Sequence, residues 1–300
     1  MSRMRNKVFS IRKWTIARRI IQFFIIALFC SPLFFVAVEG ENFFFGSLSS
    51  STIVGIVLSD PFAALQVMMA SKQIHFAYLT GALIIFVFYL IIRGRTFCSW
   101  ICPVNTLLEL TEKFRRFMKV PDKMYNRHTK KHLALAILLL SFLVGVPVFE
   151  LFSPIGFTMR NALFTFGIGI WIIIAIVLFE LLISKRGWCR YFCPLGGFYQ
   201  SIGKAGIFNV KFDHDACVGC DKCRSVCFAD PVILEPGIFR ESKFVVSGDC
   251  SLCGACVDHC PFGALKITAQ LPTSRYKEDL VIGKEQFEKE RLAKWYNIKN

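Results

Sequence analysis

Histidine is scarce in this chain, which has five in 300 residues, and none of them lies inside the long apolar runs. Those runs cover residues 20–38, 76–92, 133–149 and 163–183. A b-type haem held between transmembrane helices needs axial ligands such as histidine within the helices. The absence of histidine from these runs therefore argues against a protein of the cytochrome b type.

Acidic residues are also few, with 21 Asp and Glu against 36 Lys and Arg and a formal net charge of +15. Such a surplus can indicate nucleic-acid binding, because basic patches attract phosphate. Residues 209–270, however, hold six basic and eight acidic residues. The surplus instead adjoins the apolar runs, where basic residues set topology and meet anionic lipid. The charge thus does not predict a nucleic-acid partner.

Hydrophobic residues are abundant by contrast, at 54% of the chain. Each apolar run has 17–21 residues, and about 20 residues span a bilayer core of about 30 Å as a helix. The runs therefore predict an all-α, four-helix transmembrane domain over residues 20–195, arranged as two repeated hairpins. Glu180, near the end of the fourth run, is expected to snorkel toward Lys185.

The distribution of basic residues predicts the orientation of these helices. The N-terminal segment, residues 1–19, holds seven Lys and Arg and no acid, and residues 93–132 hold a second basic cluster. By the positive-inside rule both segments face the cytoplasm. We expect a multi-pass protein of the cytoplasmic membrane, in contact with lipid and the quinone pool, with both termini inside. The polar tail, residues 271–300, is expected to be a solvated helix.

Two short segments near the C-terminus hold eight of the 13 cysteines at a repeated 2-2-3 spacing. The first consists of Cys217, Cys220, Cys223 and Cys227, and the second of Cys250, Cys253, Cys256 and Cys260. This spacing is typical of bacterial ferredoxins with two [4Fe–4S] clusters. We predict a small α+β dicluster ferredoxin-like domain over residues 207–270, with strand-like pieces at 207–212, 244–246 and 264–268.

The fourth cysteine of each segment is expected to bind the other cluster, because in two-cluster ferredoxins the ligands are exchanged in this way. One cluster would be held by Cys217, Cys220, Cys223 and Cys260, and the other by Cys250, Cys253, Cys256 and Cys227. Zinc sites usually pair two Cys-x2-Cys knuckles across a longer gap. Disulfides need an oxidising compartment. Both alternatives fit this spacing less well than the clusters do.

A second set of cysteines lies in a repeated segment. Arg-Gly, an aromatic residue and Cys-x3-Cys-Pro follow the second and fourth apolar runs, which gives the pairs Cys98/Cys102 and Cys189/Cys193. Cysteines four residues apart share a helix face, and the proline disfavours helix at the second cysteine. Three interpretations stay open: a third iron–sulfur cluster or other metal site, redox-active dithiols, or buried packing residues.

The order of these motifs resembles one known family. Four apolar runs, Cys-x3-Cys-Pro after the second and fourth, the Asp60-Pro61 stretch before the second, and two ferredoxin segments are similar to the NapH-type ferredoxins of periplasmic nitrate reduction. NosR-like and CcoG-like polyferredoxins share the Cys-x3-Cys-Pro pairs. NosR-like proteins typically add a large extracytoplasmic domain, for which the loop of about 35 residues between the first two apolar runs has no room. The resemblance covers nearly the whole chain.

The resemblance implies the membrane component of a quinol dehydrogenase rather than a self-contained enzyme. Electrons from menaquinol or ubiquinol would pass, with a NapG-type periplasmic ferredoxin, toward a nitrate reductase. The cysteines from Cys217 to Cys260 would hold the relay clusters. Cys98, Cys102, Cys189 and Cys193 would act near the quinol or between subunits.

Two alternatives of other classes remain. In the first, the four thiols of the Cys-x3-Cys-Pro pairs reduce or pass on copper during assembly of another oxidoreductase, since thiolates favour Cu(I). In the second, the clusters only sense redox state. Quinol-dependent electron flux distinguishes both from an electron relay.

Overall fold

The computed structural model describes residues 12–30, 44–46, 50–53, 56–118, 120, 122–123, 125–163, 167 and 169–270. The predictions for residues 1–11, 31–38 and 271–300 lie outside these residues. Internal contacts divide the chain into two compact units. The cysteine-rich unit takes its described residues from 12–20, 90–100 and 202–270, and the helical unit takes them from 21–89 and 101–201.

The structure is mostly helical. The α-helices are α1 (Lys13–Cys30), α2 (Pro61–Ser71), α3 (Phe76–Ile92), α4 (Thr96–Trp100), α5 (Pro103–Met118), α6 (Thr129–Val144), α7 (Val148–Phe152), α8 (Pro154–Leu163), α9 (Gly169–Leu182), α10 (Pro194–Ile202), α11 (Lys222–Ser225), α12 (Glu235–Ile238) and α13 (Ala255–Asp258). A π-helical turn covers Trp188–Phe192, and a 3₁₀ turn covers Pro231–Leu234. The strands are β1 (Phe44–Gly46), β2 (Ser50–Ile53), β3 (Ile56–Ser59), β4 (Phe208–Phe212) and β5 (Leu265–Ala269).

The prediction of a four-helix transmembrane domain is wrong. Within the described ranges, no helix combines the length and the apolar character that crossing a membrane requires. The prediction of a multi-pass protein in the cytoplasmic membrane is therefore wrong as well. The observed architecture is a set of mostly short helices with a small sheet in each unit.

The helix lengths give the physical reason. Helix α1 has 18 residues but includes Lys13, Arg18 and Arg19, whereas α3, α6 and α9 have 17, 16 and 14 residues. At about 1.5 Å per residue, 17 residues reach about 26 Å, less than a hydrocarbon core of about 30 Å. Gly145 ends α6 in the left-handed conformation at φ 75°, inside the third apolar run. The fourth run is divided where α8 ends at Leu163 and α9 begins at Gly169.

The helical unit is organised around α2. Asp60 caps this helix by accepting the amide protons of Phe62 and Ala63, and Pro61 occupies its first turn. Proline suits that position because its missing N–H has no intrahelical acceptor there. Phe62 is fully buried and packs its ring against Phe149 at a centroid distance of 5.7 Å. Helix α2 also packs against α6, and α9 packs against α5 and α8.

A three-stranded antiparallel sheet, with strand order β1-β2-β3, precedes α2 in the helical unit. No pattern in the sequence predicted this sheet. In the cysteine-rich unit, β4 pairs antiparallel with β5 in a register that places Val210 opposite Ile267. Lys211 also forms an isolated bridge with Phe244. The strand-like pieces expected at the two ends of this unit are therefore confirmed as β4 and β5.

Candidate iron–sulfur centre

Two loops carry the eight ferredoxin-type cysteines, and both lie between β4 and β5. The first loop follows β4: the Cys217 amide donates to the Asp213 carbonyl at 3.0 Å, and Cys223 lies in the single turn of α11. The second loop precedes β5, with Cys256 in the single turn of α13. The paired strands thus bring two distant cysteine segments into one unit.

The two loops end differently. Cys260 is followed by Pro261, and its Sγ accepts the Ala264 amide at 3.3 Å. Cys227 is followed by Phe228, and the turn is made instead by Asp230, whose side chain accepts the Val232 amide at 3.0 Å. The Asp230 side chain thus caps the turn after Cys227, where the second loop has a proline directly after its last cysteine. The two loops therefore end in different turns.

Electrostatic neighbours show which thiols lie close together. The thiol of Cys227, from the first loop, is influenced by Cys253 and Cys250 of the second loop. The thiol of Cys217, from the first loop, is influenced by Cys260 as well as by Cys220. Each fourth cysteine thus lies among the first three cysteines of the other segment. This is the arrangement that exchanged ligands in a two-cluster ferredoxin require.

Burial changes the chemistry of these thiols. Loss of hydration, together with nearby thiols, raises the pKa of Cys223 and that of Cys227 to about 12. The same causes raise the pKa of Cys256 well above its ordinary value. Buried thiolates need a cationic partner, and a metal centre supplies one because metal-bound thiols are deprotonated. The donor set therefore fits an iron–sulfur cluster.

Within the described part of the chain, no three His, Cys, Asp or Glu side chains form a group that could hold a metal ion. A [4Fe–4S] cube places each thiolate on a different iron, so its four ligands do not converge on one point.

Residues 90–100 support the second loop, a role that the sequence analysis missed. Ser99 Oγ donates to the Ser251 carbonyl at 2.7 Å, and the Trp100 indole N–H donates to the Leu252 carbonyl at 3.2 Å. Arg95 forms an ion pair with Asp249 at 2.7 Å. Because buried carbonyls must be hydrogen-bonded, these donors hold the loop in one shape. The repeated Arg-Gly motif was the feature of the sequence that could have indicated this role.

The start of α1 contacts the helical turn that carries Cys256. The Thr15 amide and hydroxyl both donate to Asp258 Oδ2 at 2.8 Å. The Trp14 ring also meets the Trp100 ring edge to face at a centroid distance of 6.3 Å. A third segment of the chain thus stabilises the cysteine-rich unit.

The Cys-x3-Cys-Pro segments follow one pattern. Cys98 lies in α4 and Cys189 in the π-helical turn, whereas Cys102 and Cys193 lie just outside these elements, before helices that begin at a proline. The backbone of Cys193 is extended at ψ 113°, as expected before proline. Cys98 belongs to the cysteine-rich unit, and the other three belong to the helical unit.

The second Arg-Gly motif organises a buried charge cluster in the helical unit. Arg186 pairs with Glu112 at 2.6 Å and donates to Asn105 Oδ1 at 3.0 Å. Glu180, only 3% exposed, accepts the Arg186 amide, and burial raises the pKa of Glu180 to about 8. Lys185 pairs with Glu112 at 2.9 Å, and the cations that act on Glu180 are Arg186, Arg190 and Arg115.

Comparisons with known proteins agree with this site. A family model described as a 4Fe-4S binding domain matches residues 74–121 and again residues 163–213. The two matches contain the two Cys-x3-Cys-Pro segments. A second model, also described as a 4Fe-4S binding domain, matches residues 244–266, which include the second cysteine loop.

Similar proteins match over most of the chain. The methylamine utilization ferredoxin-type protein MauN of Methylorubrum extorquens is 35% identical over 85% of this chain and 89% of its own. The ferredoxin-type protein NapH of Escherichia coli is 35% identical over 86% of this chain and 90% of its own. NapH of Haemophilus influenzae is 33% identical over 86% of this chain and 90% of its own. This chain belongs to the NapH/MauN family of ferredoxin-type proteins.

The resemblance to NapH-type proteins is thereby confirmed. As a ferredoxin-type member of the NapH/MauN family, the chain is an iron–sulfur electron-transfer protein. No solved structure matches it significantly.

Proposed function

We propose that this chain takes electrons from a quinol and relays them one at a time, through two [4Fe–4S] clusters, toward a nitrate reductase. The observation that carries the proposal is the exchange of cysteines between the loops, since Cys227 lies among the second-loop thiols and Cys260 among those of the first. Similarity to NapH supports the nitrate pathway and a NapG-type ferredoxin as the next carrier.

The ligands follow from that exchange. One cluster is assigned to Cys217, Cys220, Cys223 and Cys260, and the other to Cys250, Cys253, Cys256 and Cys227. Iron–sulfur clusters exchange single electrons without moving heavy atoms, and their potentials depend on charge and hydrogen bonds around the sulfurs. Two clusters in one unit therefore suit a relay between a two-electron donor and a one-electron acceptor.

The Cys98/Cys102 and Cys189/Cys193 pairs are proposed as redox thiols or as the ligands of a third cluster. A 4Fe-4S family model that matches both segments supports the cluster. The π-helical turn at Cys189 is further support, because such turns are frequent at functional sites.

A second acceptor is favoured by a specific observation. The MauN protein of Methylorubrum extorquens, which is named for methylamine utilization, is as similar to this chain as NapH of Escherichia coli is, at 35% identity. In this second proposal, the same clusters exchange electrons with the methylamine-oxidising system.

The first experiment measures iron, acid-labile sulfide and EPR spectra on protein purified without oxygen. About eight irons per chain indicate two cubes, and about twelve indicate three. Replacing Cys253 by Ser should remove one of the two ferredoxin-type clusters. Cys98→Ser should lower the number of irons per chain only if a third cluster exists. Cys30→Ser, outside both motifs, is the matched control. Fewer than four irons contradict the proposal.

The second experiment deletes the gene and measures nitrate reduction with quinol as donor, and growth on methylamine. Loss of nitrate reduction alone supports a NapH-like role. Loss of growth on methylamine alone supports a MauN-like role. If both persist and the purified chain binds Cu(I), the protein handles copper and is not a relay. Complementation with Cys253→Ser and Cys30→Ser tests whether the clusters are required.

A further inference from the structure

Arg93 is a completely buried cation in the cysteine-rich unit. Its guanidinium donates to neutral oxygens: the Asn209 side chain, the Val245 carbonyl at 2.8 Å, the Ser247 carbonyl and the Phe208 carbonyl at 3.4 Å. These contacts engage its two terminal nitrogens, whereas its Nε has no hydrogen-bond partner among the described residues, and they leave its charge to be balanced. A buried charge without a counter-charge costs several kcal/mol.

The anions that act on Arg93 are Cys250 and Asp249. Asp249 is already engaged in the ion pair with Arg95, in which both side chains are 1% exposed. After burial itself, Arg93 has the largest effect on the Cys250 thiol, larger than that of Arg95. The remaining counter-charge for Arg93 is therefore the thiolate of Cys250 and whatever that thiolate binds.

The backbone holds Arg93 in this place. Its φ of 142° lies in a region that residues with a side chain rarely adopt. The Ile207 amide donates to the Ile91 carbonyl at 2.8 Å, and a Cβ on Gly206 would lie only 2.8 Å from the Arg93 Cα. Such a constrained position is expected where the surrounding structure serves a function.

Among the described residues, the first loop has no equivalent cation. Arg224 is 32% exposed and pairs with Glu235 at 2.7 Å, so solvent and an acid screen its charge. Arg240 acts on Cys217, but less strongly than the neighbouring thiols do. The positive charge in this unit is therefore distributed unequally between the two loops.

We propose that Arg93 is the counter-charge of the cluster bound by Cys250, and that it holds the reduction potential of this cluster above that of the other. The inference rests on the proposed two-cluster function. Reduction adds one negative charge to a cluster that already carries thiolates, so a fixed buried cation stabilises the reduced form. One electron leaves the Cys217 cluster, which is oxidised, and enters the Cys250 cluster, which is reduced. No proton or bond changes.

The test is a redox titration of the full chain, loaded with clusters and followed by EPR. Arg93→Gln keeps hydrogen-bonding atoms but removes the charge, and should shift the electron equilibrium between the two clusters at least tenfold toward the Cys217 cluster. For a one-electron couple, tenfold corresponds to about 59 mV. Arg93→Lys keeps the positive charge and should therefore keep the potential of the Cys250 cluster close to its original value. Arg224→Gln is the matched control and is expected to leave both potentials unchanged.

A variant of opposite sign makes the test independent of how well Arg93→Gln folds. Asp249→Asn removes a negative charge beside Cys250 and should raise the potential of the same cluster. If Arg93→Gln does not retain its clusters, Asp249→Asn decides the matter. Unchanged potentials, or equal shifts of both clusters, overturn the inference while the two-cluster function stands. Absence of a [4Fe–4S] signal from the unmodified protein overturns the proposed function instead.

Discussion

Breaking the buried ion pair between Arg95 and Asp249 should destabilise the cysteine-rich unit far more than breaking an exposed pair of equal length. Arg95 and Asp249 lie 2.7 Å apart and are each 1% exposed. Arg224 and Glu235 in the same unit also lie 2.7 Å apart, but are 32% and 34% exposed. The two pairs differ mainly in burial, so the comparison isolates its effect.

The expected magnitudes follow from solvation. Replacing Arg95 by Met leaves the Asp249 carboxylate buried without its cation, which costs about 3–5 kcal/mol. Replacing Arg224 by Met leaves Glu235 in contact with water, which costs about 0.2–1 kcal/mol. The double variant Arg95→Met/Asp249→Leu, which removes both charges, should recover much of the loss, because an apolar pair of similar volume is often neutral.

The assay is urea denaturation of the anaerobically purified chain, followed by loss of the visible absorbance of its clusters. The midpoint should fall strongly for Arg95→Met, return toward the original value in the double variant, and change little for Arg224→Met. Equal midpoints for the two single variants would refute the reasoning, and so would a double variant less stable than Arg95→Met.

Three further predictions concern the rest of the chain. Burial raises the pKa of Glu180 from 4.5 to about 8, so the folded state binds more protons than the unfolded state between these values. Stability should therefore fall as pH rises from about 5 to 8, by up to about 5 kcal/mol, and Glu180→Gln should abolish this fall in thermal unfolding. Burial raises the pKa of Asp60 to about 6, so its carboxyl is mostly protonated at pH 5 and ionised at pH 8. The Tyr199 hydroxyl donates to Asp60 at 2.5 Å, so Tyr199→Phe should cost about 1.5–3 kcal/mol, more at pH 8 than at pH 5. Gly206→Ala should cost about 1–3 kcal/mol, because its Cβ would meet the Arg93 backbone. Gly167→Ala, whose Cβ would have no neighbour within 4 Å, is the control in the same denaturation assay.

The predictions that depended on the spacing of neighbouring residues agree with the structure. Cysteines two and three residues apart must lie on one short loop whatever the rest of the chain does, and the structure brings the two loops together between β4 and β5. The proline after each second cysteine of the Cys-x3-Cys-Pro pairs likewise acts through its neighbour alone, and Cys193 is extended for that reason.

The prediction of transmembrane helices from the long apolar runs was wrong because a run of hydrophobic residues does not specify where a helix ends. The left-handed conformation of Gly145 and the separation of α8 from α9 shorten the helices, and neither follows from hydropathy. The sheet β1-β2-β3 was missed because its strands have only three or four residues each.

The family, the cysteine loops and the repeated Arg-Gly and Cys-x3-Cys-Pro segments can be identified from the sequence, since they depend on residues close together in the chain. The partners of the repeated arginines become visible only in the folded structure. Arg93 and Arg95 reach oxygens more than 100 residues away, whereas Arg186 pairs with Glu112. Both motifs begin with Arg-Gly, but they lie in different surroundings. A buried guanidinium needs hydrogen-bond acceptors and a counter-charge. Only packing between distant segments of the chain places such acceptors and acids around these arginines.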